Sequence, residues 1–252
     1  MTNSKFYYIS HGALSQHLSN LKIEQTSILD LIIDKRTPLT IEDNIAFIDI
    51  HGPLADNAPP IHEMVGGTNY STIKTEIDTA IQANVKGIVF TTDSPGGAVH
   101  GCQELSDTIA SLPCPTVSFC SGLNCSAAYM LTVATDAIIA RPTSQVGNVG
   151  VIQTATRSES EHEIITNEGA DLKDTFHGKM SDSQRQFIQD KVNALGLAFQ
   201  THVTANRPEI DDKYKHAGWY AGDEAISLGF VDIIGNLESA KSTLLELITL
   251  TN

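Results

Sequence analysis

Clustered positive charge is absent from this chain. Its 252 residues carry 16 Lys and Arg against 30 Asp and Glu, a formal net charge of −14, and no basic run occurs anywhere. Neutralising nucleic-acid phosphates needs grouped Lys and Arg, so nucleic acid is excluded as a partner. Cysteine is sparse too. Cys102, Cys114, Cys120 and Cys125 include no C-x-x-C pair and no zinc-like spacing, so neither a disulfide framework nor a metal site is expected. No apolar run approaches the roughly 18 residues of a membrane span. The opening "MTNSKFYYISHG" has no long apolar segment of the signal-peptide kind. These absences point to a cytosolic chain with reduced, mostly buried thiols. Hydrophobic residues at 41% and charged residues at 18% suit a folded globular protein with a full core.

The hydrophobic patterning divides the chain near residue 40. Residues 1–40 are mixed and read as an N-terminal arm; "ILDLIIDK" fits a short helix or a strand equally. Pro38 and the acidic pair Glu42 and Asp43 mark a break before a domain over 41–252. From there strands and helices alternate. Ile45–Ile50 reads as a strand, and "YSTIKTEIDTAIQA" as a helix with Ile73, Ile77, Ala80 and Ile81 on one face. Gly87–Thr92 is a buried strand, followed by a helix with Cys102, Leu105, Ile109 and Leu112 inward. "PTVSFC" is a strand, "SAAYMLTVA" a helix and "DAIIA" a strand. This alternation implies crossover units and a largely parallel sheet, an α/β class. A long helix follows from Ser181, with a Ser181/Gln184 capping box and an apolar stripe of Ile188, Val192, Leu195 and Phe199. "AGDEAISLGFVDIIG" reads as helix, Gly stop and short strand, and a last amphipathic helix starts near Leu237. There is no internal repeat and no low-complexity segment.

Two strings carry candidate chemistry. "DSPGG", residues 93–97, follows a buried strand, where ligands of parallel α/β sheets bind. Its glycines let backbone N–H groups approach a ligand closely. Alone, it is better explained as a turn with a helix cap. "NCSAAYML", residues 124–131, sets Ser126 at the start of a helix after a loop containing Gly122, in the positive field of the helix N-terminus. Alone, Ser126 is better explained as an N-cap. Taken together they say more. The two strands are separated by one crossover helix and so pair as neighbours, opening both loops at one sheet edge. The N–H groups of Gly97 and Ala127 then form a two-donor oxyanion hole beside Ser126, a site for acyl transfer.

The proton acceptor is less legible. None of the nine histidines sits in a strand-end loop soon after Ser126, and only His100 lies near the glycine turn in sequence. The lipase pattern G-x-S-x-G is absent, since Asn124 and Ala128 take the glycine positions. "EGADLKDTFHGKMSD" offers Lys173 and Lys179, each otherwise a solvated charge. A lysine base must be neutral, which from about 10.4 requires a drop of roughly 3 pH units, or about 4 kcal/mol. Only a dry, enclosed site supplies that in a chain this acidic.

With "DSPGG", "CSAAYML", "PTSQVGNVGVI", "GADLKD" and "WYAGDEAISLGFVDIIG" in this order, the chain resembles the signal peptide peptidase A family over roughly residues 44 to 240. It is most similar to the phage and prophage branch, in which Ala-Ala follows the serine. The resemblance implies a Clp-protease/crotonase-like fold of stacked β-β-α crossover units and a Ser/Lys dyad, with Ser126 as nucleophile and Lys173 as general base. It further implies Gly97 and Ala127 as oxyanion donors and a homo-oligomeric ring whose active site is shared between protomers. Lys179 matches nothing required. Where the family has a serine that helps hold the lysine, this chain has Asn148, whose side-chain oxygen can still accept from an amine.

The expectation is an ATP-independent serine endopeptidase working through an acyl-enzyme, with no metal or cofactor. Its substrates would be polypeptides such as capsid scaffold or signal-peptide-like segments, met in the host cytoplasm or an immature capsid. Two rivals stand beside it. Crotonase-type enolate chemistry needs carboxylates at the oxyanion loops, and only Glu104 and Asp107 are near, both well into a helix. An inactive pseudo-peptidase serving as a ring-forming scaffold is the other, motivated by Asn148.

Overall fold

A computed structural model describes residues 7–9, 36–154, 168, 172, 180–210 and 216–251. Strand β1 (Tyr7–Ile9) stands apart in sequence from the remainder. The "ILDLIIDK" segment lies outside the described residues. Strands β2 (Thr40–Glu42) and β3 (Ile45–His51) form an antiparallel hairpin. The acidic break expected there is its two-residue turn, with Asp43 and Asn44 at φ 50° and 63°. Asp and Asn tolerate the left-handed backbone that such a turn requires at both positions.

Next come β4 (Leu54–Ala55), the single-turn helix α1 (Ile61–Met64), β5 (Thr68–Asn69) and α2 (Tyr70–Gln82). Then follow β6 (Gly87–Ser94), β7 (Gly96–Ala98), α3 (Cys102–Ala110), β8 (Thr116–Cys125) and α4 (Ala127–Thr132). Beyond them lie β9 (Ala137–Ala140), β10 (Gln145–Gly147), α5 (Asp182–Asn206), β11 (Trp219–Tyr220), α6 (Gly222–Ser227), β12 (Ile233–Ile234) and α7 (Leu237–Thr251).

The larger sheet runs β11-β10-β8-β6-β3-β2, with β9 on β8 and β12 on β9. Its inner pairs are parallel and its two outermost pairs, β10–β11 and β2–β3, antiparallel. The smaller sheet runs β1-β7-β4-β5. The central strands are buried on both faces, and their period of two sorts side chains between two cores. Ile48, Ile50, Ile88 and Phe90 face a core shared with α2, α3 and α4. Ile45, Val89, Val117, Phe119 and Ile139 face the other side, covered by Ala240, Leu244 and Ile248 of α7.

Two expectations change. The strand read as ending at Cys120 runs on to Cys125, so Gly122 is not in a loop. β8 instead changes partner at that point. Val117–Cys120 pairs with β9 and Leu123–Cys125 with β10. A side chain at 122 would collide with the Asp93 carboxylate, 2.5 Å from the position of a Cβ, and that carboxylate accepts from Leu123 N–H at 2.9 Å. Helix α5 opens with the expected capping box, Ser181 Oγ accepting from Gln184 N–H and Gln184 answering at Ser181 N–H. Its stripe reaches the core only at Phe199 and Val203, whereas Ile188, Val192 and Leu195 are half-buried. No described helix is long and apolar enough to cross a membrane.

Candidate active site

β6 and β8 are adjacent and parallel, so both candidate strings emerge at the same sheet edge. The first is not a helix cap, since α3 begins after Gly101. Each polar side chain of "DSPGG" has a structural task. Asp93 holds the upper half of β8 through Leu123. Ser94 Oγ donates to the Gly52 carbonyl at 2.6 Å and accepts from Gly96 N–H at 3.2 Å, fixing the turn. Gly96 has φ 98°, which favours glycine. Gly97 is squeezed against β4; a Cβ there would lie 1.9 Å from the Leu54 carbonyl oxygen.

Ser126 joins β8 to α4 with φ 59° and ψ −121°. A non-glycine residue in this region carries strain of order 1–3 kcal/mol, and the surrounding structure has to hold it. Its side chain makes no capping bond, which removes the N-cap explanation. The residue is fully buried, and its Oγ has no hydrogen-bond partner among the described residues. A buried hydroxyl left unpaired costs about 1–3 kcal/mol, so its retention needs a reason other than packing.

The backbone around Ser126 is anchored on both sides. Its N–H donates to the Gly147 carbonyl at 2.8 Å, and its carbonyl accepts from Met130 N–H at 2.9 Å. That second bond is the first of α4, so the amides of Ala127, Ala128 and Tyr129 have no acceptor within the helix. Ala127 and Ala128 are fully buried at the helix start. Asn124 Nδ2 donates to Thr132 Oγ1 at 2.9 Å, tying the strand end to the last turn of α4.

The neighbouring thiol is not a rival nucleophile. Cys125 is buried, its Sγ donates to the Gln145 carbonyl at 3.5 Å, and burial pushes its pKa up to about 12. The thiolate is the reactive form, so this group is inert near neutrality. All four cysteines are free, and Cys102, Cys120 and Cys125 are buried.

Asn148 follows Gly147 directly and has φ 56°. Its N–H donates to the Gly218 carbonyl at 2.7 Å and its Nδ2 to the Ala217 carbonyl at 2.8 Å. Both bonds use nitrogen, which leaves the Oδ1 acceptor turned to neither. His100 is exposed in the turn before α3, and Glu104 and Asp107 are exposed on α3. Lys173 and Lys179 lie outside the described residues. Among the described residues no group of three His, Cys, Asp or Glu could hold a metal ion. Three positioning residues escaped the sequence reading: Asp93, Asn124 and Gly147. All sit inside the quoted strings, but their partners are 8 to 30 residues away, and only the fold supplies them.

The fold is crotonase-like. The apo structure of an enoyl-CoA isomerase from Mycobacterium tuberculosis superposes with a TM-score of 0.51 at 16% identity, over 86% of this chain and 85% of that one. Among curated proteins, Protease 4 of Salmonella typhi is 28% identical over 226 residues, covering 84% of this chain and 36% of that protein. A putative protease of Methanocaldococcus jannaschii is 28% identical over 186 residues, covering 67% of this chain and 58% of that protein. Capsid assembly protease C of Escherichia phage lambda is 25% identical over 223 residues, covering 79% and 48%. The chain thus spans between 36% and 58% of the length of these relatives. The sequence model of Peptidase family S49 matches residues 112–251, a span that holds Ser126, Asn148 and Lys173 and begins after Gly97. By that match over more than half its length, the chain belongs to Peptidase family S49.

Proposed function

We propose that this chain is a serine endopeptidase with a Ser/Lys dyad, independent of ATP and of any cofactor. The observation that carries the reading is the Ser126 hydroxyl: buried, unpartnered among the described residues, and held on a strained backbone beside a two-glycine turn. Lys173 is the general base on the match of "GADLKD" to the family's lysine loop. Ser126 Oγ attacks the scissile carbonyl carbon while its proton passes to the Lys173 amine. The oxyanion is met by the N–H groups of Gly97 and Ala127, donors that need not reorganise as charge develops. Collapse expels the amine of the downstream peptide, which takes the proton from Lys173, and an acyl-Ser126 ester remains. Water then gives a proton to Lys173 and attacks the ester, which releases the carboxylic acid product and restores the hydroxyl. Asn148 Oδ1 orients the lysine amine.

Polypeptides are the substrates. The likeness to the phage lambda capsid assembly protease supports scaffold-type polypeptides of capsid assembly, and a homo-oligomeric ring with the site shared between protomers is part of the same reading. The enolate alternative loses ground because Glu104 and Asp107 are exposed on α3.

The test is hydrolysis of unfolded casein by the assembled chain, beside Ser126→Ala and Lys173→Ala at matched oligomer size. The reading expects cleavage by the parent and none by either variant. Full activity in Lys173→Ala would remove the dyad. An inert parent that also fails to react with a serine-directed phosphonate would leave a scaffold protein on a peptidase fold.

A further inference from the structure

β7, the strand of the two-glycine turn, is paired on both edges. On one side it runs parallel to β4, through Leu54 and Gly97. On the other it pairs antiparallel with β1, in the register Tyr7 to Ala98, Tyr8 to Gly97 and Ile9 to Gly96. β1 is the terminal strand of its sheet and also lies against α4, the helix that starts after Ser126. Strands β2 to β6 separate the two segments in the chain, so no short connection forces them together. A three-residue strand with a single neighbour is weakly attached. Its position is nonetheless specific: an extended main chain along the glycine turn, lying against the helix that follows Ser126.

That is the geometry a peptidase requires of a bound polypeptide. An exposed strand edge reads an incoming chain through backbone hydrogen bonds, and Gly96 and Gly97 present no side chains to select against it. We infer that Tyr7–Ile9 occupies the outer edge of β7 as an internal competitor that an incoming extended polypeptide displaces. The inference rests on the proposed role of Ser126 for the identity of the incoming strand as substrate; the docking itself does not.

Successive N–H groups of a strand face opposite sides, so one of Tyr7 and Tyr8 donates to β7. Replacing both, Tyr7→Pro with Tyr8→Pro, removes that donor whichever it is. In peptide hydrolysis the proline chain is expected to show a roughly tenfold lower KM, what two net backbone hydrogen bonds supply, with kcat unchanged. A second readout needs no catalysis. In a Ser126→Ala background, a fluorescein-labelled peptide of residues 4–12 is expected to bind the proline chain roughly tenfold more tightly than the chain with its native β1. The same peptide carrying the two prolines is expected not to bind. Equal peptide affinity for both chains, or an unchanged KM, overturns the inference while leaving the peptidase reading in place. Tighter peptide binding with no hydrolysis by any chain keeps the docking edge and overturns the peptidase reading. If the proline chain does not fold, amide exchange in the unmodified chain decides. Gly97 and Ala98 face their N–H groups to opposite edges, one to β4 and one to β1, so both are protected if β1 is docked, and free-peptide exchange at one of them while the other stays protected overturns the inference.

Discussion

The backbone N–H of Ser126 is held by the carbonyl of Gly147 at 2.8 Å. Gly147 sits opposite Cys125 in the parallel β8–β10 pairing and carries φ 114°. One peptide unit therefore links Ser126 to Asn148, the residue after Gly147. The arrangement uses up the Ser126 amide and leaves that of Ala127 as the first one without an intrahelical acceptor. It also makes the geometry of Ser126 and of Asn148 a single structural problem, solved by one strand pairing.

Ser126 is costly to the fold. Its hydroxyl is buried without a partner among the described residues, and its φ is 59°. Ser126→Ala is expected to abolish peptide hydrolysis while raising unfolding stability by about 1 kcal/mol, because a buried unsatisfied group is removed. Ser126→Gly, free of the Cβ strain, is expected to gain about as much again. Urea titrations of the three chains check this. A loss of stability in Ser126→Ala would mean that the hydroxyl is satisfied in solution.

Asn148→Asp tests the orienting role. A carboxylate beside an amine favours the ammonium form, so the Lys173 pKa would rise. On the proposed dyad the base works as the neutral amine, so the acidic limb of the kcat/KM profile is expected to move up by about one pH unit or more. An unmoved limb, with the fold intact, would separate Asn148 from the lysine.

Thiol reactivity reports whether the turn at Ser126 stays closed. Burial pushes Cys102, Cys120 and Cys125 up to about 12. At pH 8 each of these thiols is therefore overwhelmingly protonated. Iodoacetamide is expected to reach half-buried Cys114 first in the folded chain, and all four thiols once it is denatured. Rapid alkylation of Cys125 in the folded chain would show that the turn opens.

His202 couples stability to pH at the back of α4. Ser106 Oγ donates to the Met130 carbonyl at 2.7 Å and is 2.8 Å from His202 Nε2; Gln103 Nε2 is 3.0 Å from His202 Nδ1. With its hydrogen on Met130, Ser106 accepts from Nε2–H, and Nδ1 accepts from Gln103. The neutral imidazole is thus the form that fits. Burial lowers its pKa from the ordinary value, against a smaller opposing pull from Asp107. The unfolded chain therefore binds the extra proton first. The His202 contribution is complete above about pH 6.5 and is lost as pH falls from there through the lowered folded value. Stability of His202→Gln is expected to fall less than that of the parent between pH 7 and pH 5, read by urea unfolding at each pH. Parallel pH dependences would mean that another group dominates.

Local pattern carried far in this chain. The period of 3.6 placed Ile73, Ile77 and Ala80 on the buried face of α2, and Ser181 with Gln184 marked the start of α5, because caps and amphipathic faces are decided by near neighbours. Alternation of strand and helix implied the parallel sheet and the adjacency of β6 and β8, which brings the two strings to one edge. The order of five strings pointed to the family. Tertiary structure alone decided the rest. β8 continues past Cys120 because it exchanges β9 for β10, a choice that depends on partners 20 to 22 residues further along. The stripe of α5 is half open because residues that pattern alike need not meet the same core. Ser126 adopts φ 59° only because Gly147 and Met130 hold it from either side, and β1 meets β7 although strands β2 to β6 lie between them in the chain. Periodicity records which way a residue faces within its own element. Which element it meets there is set by long-range packing and backbone pairing, and these carry no local signature.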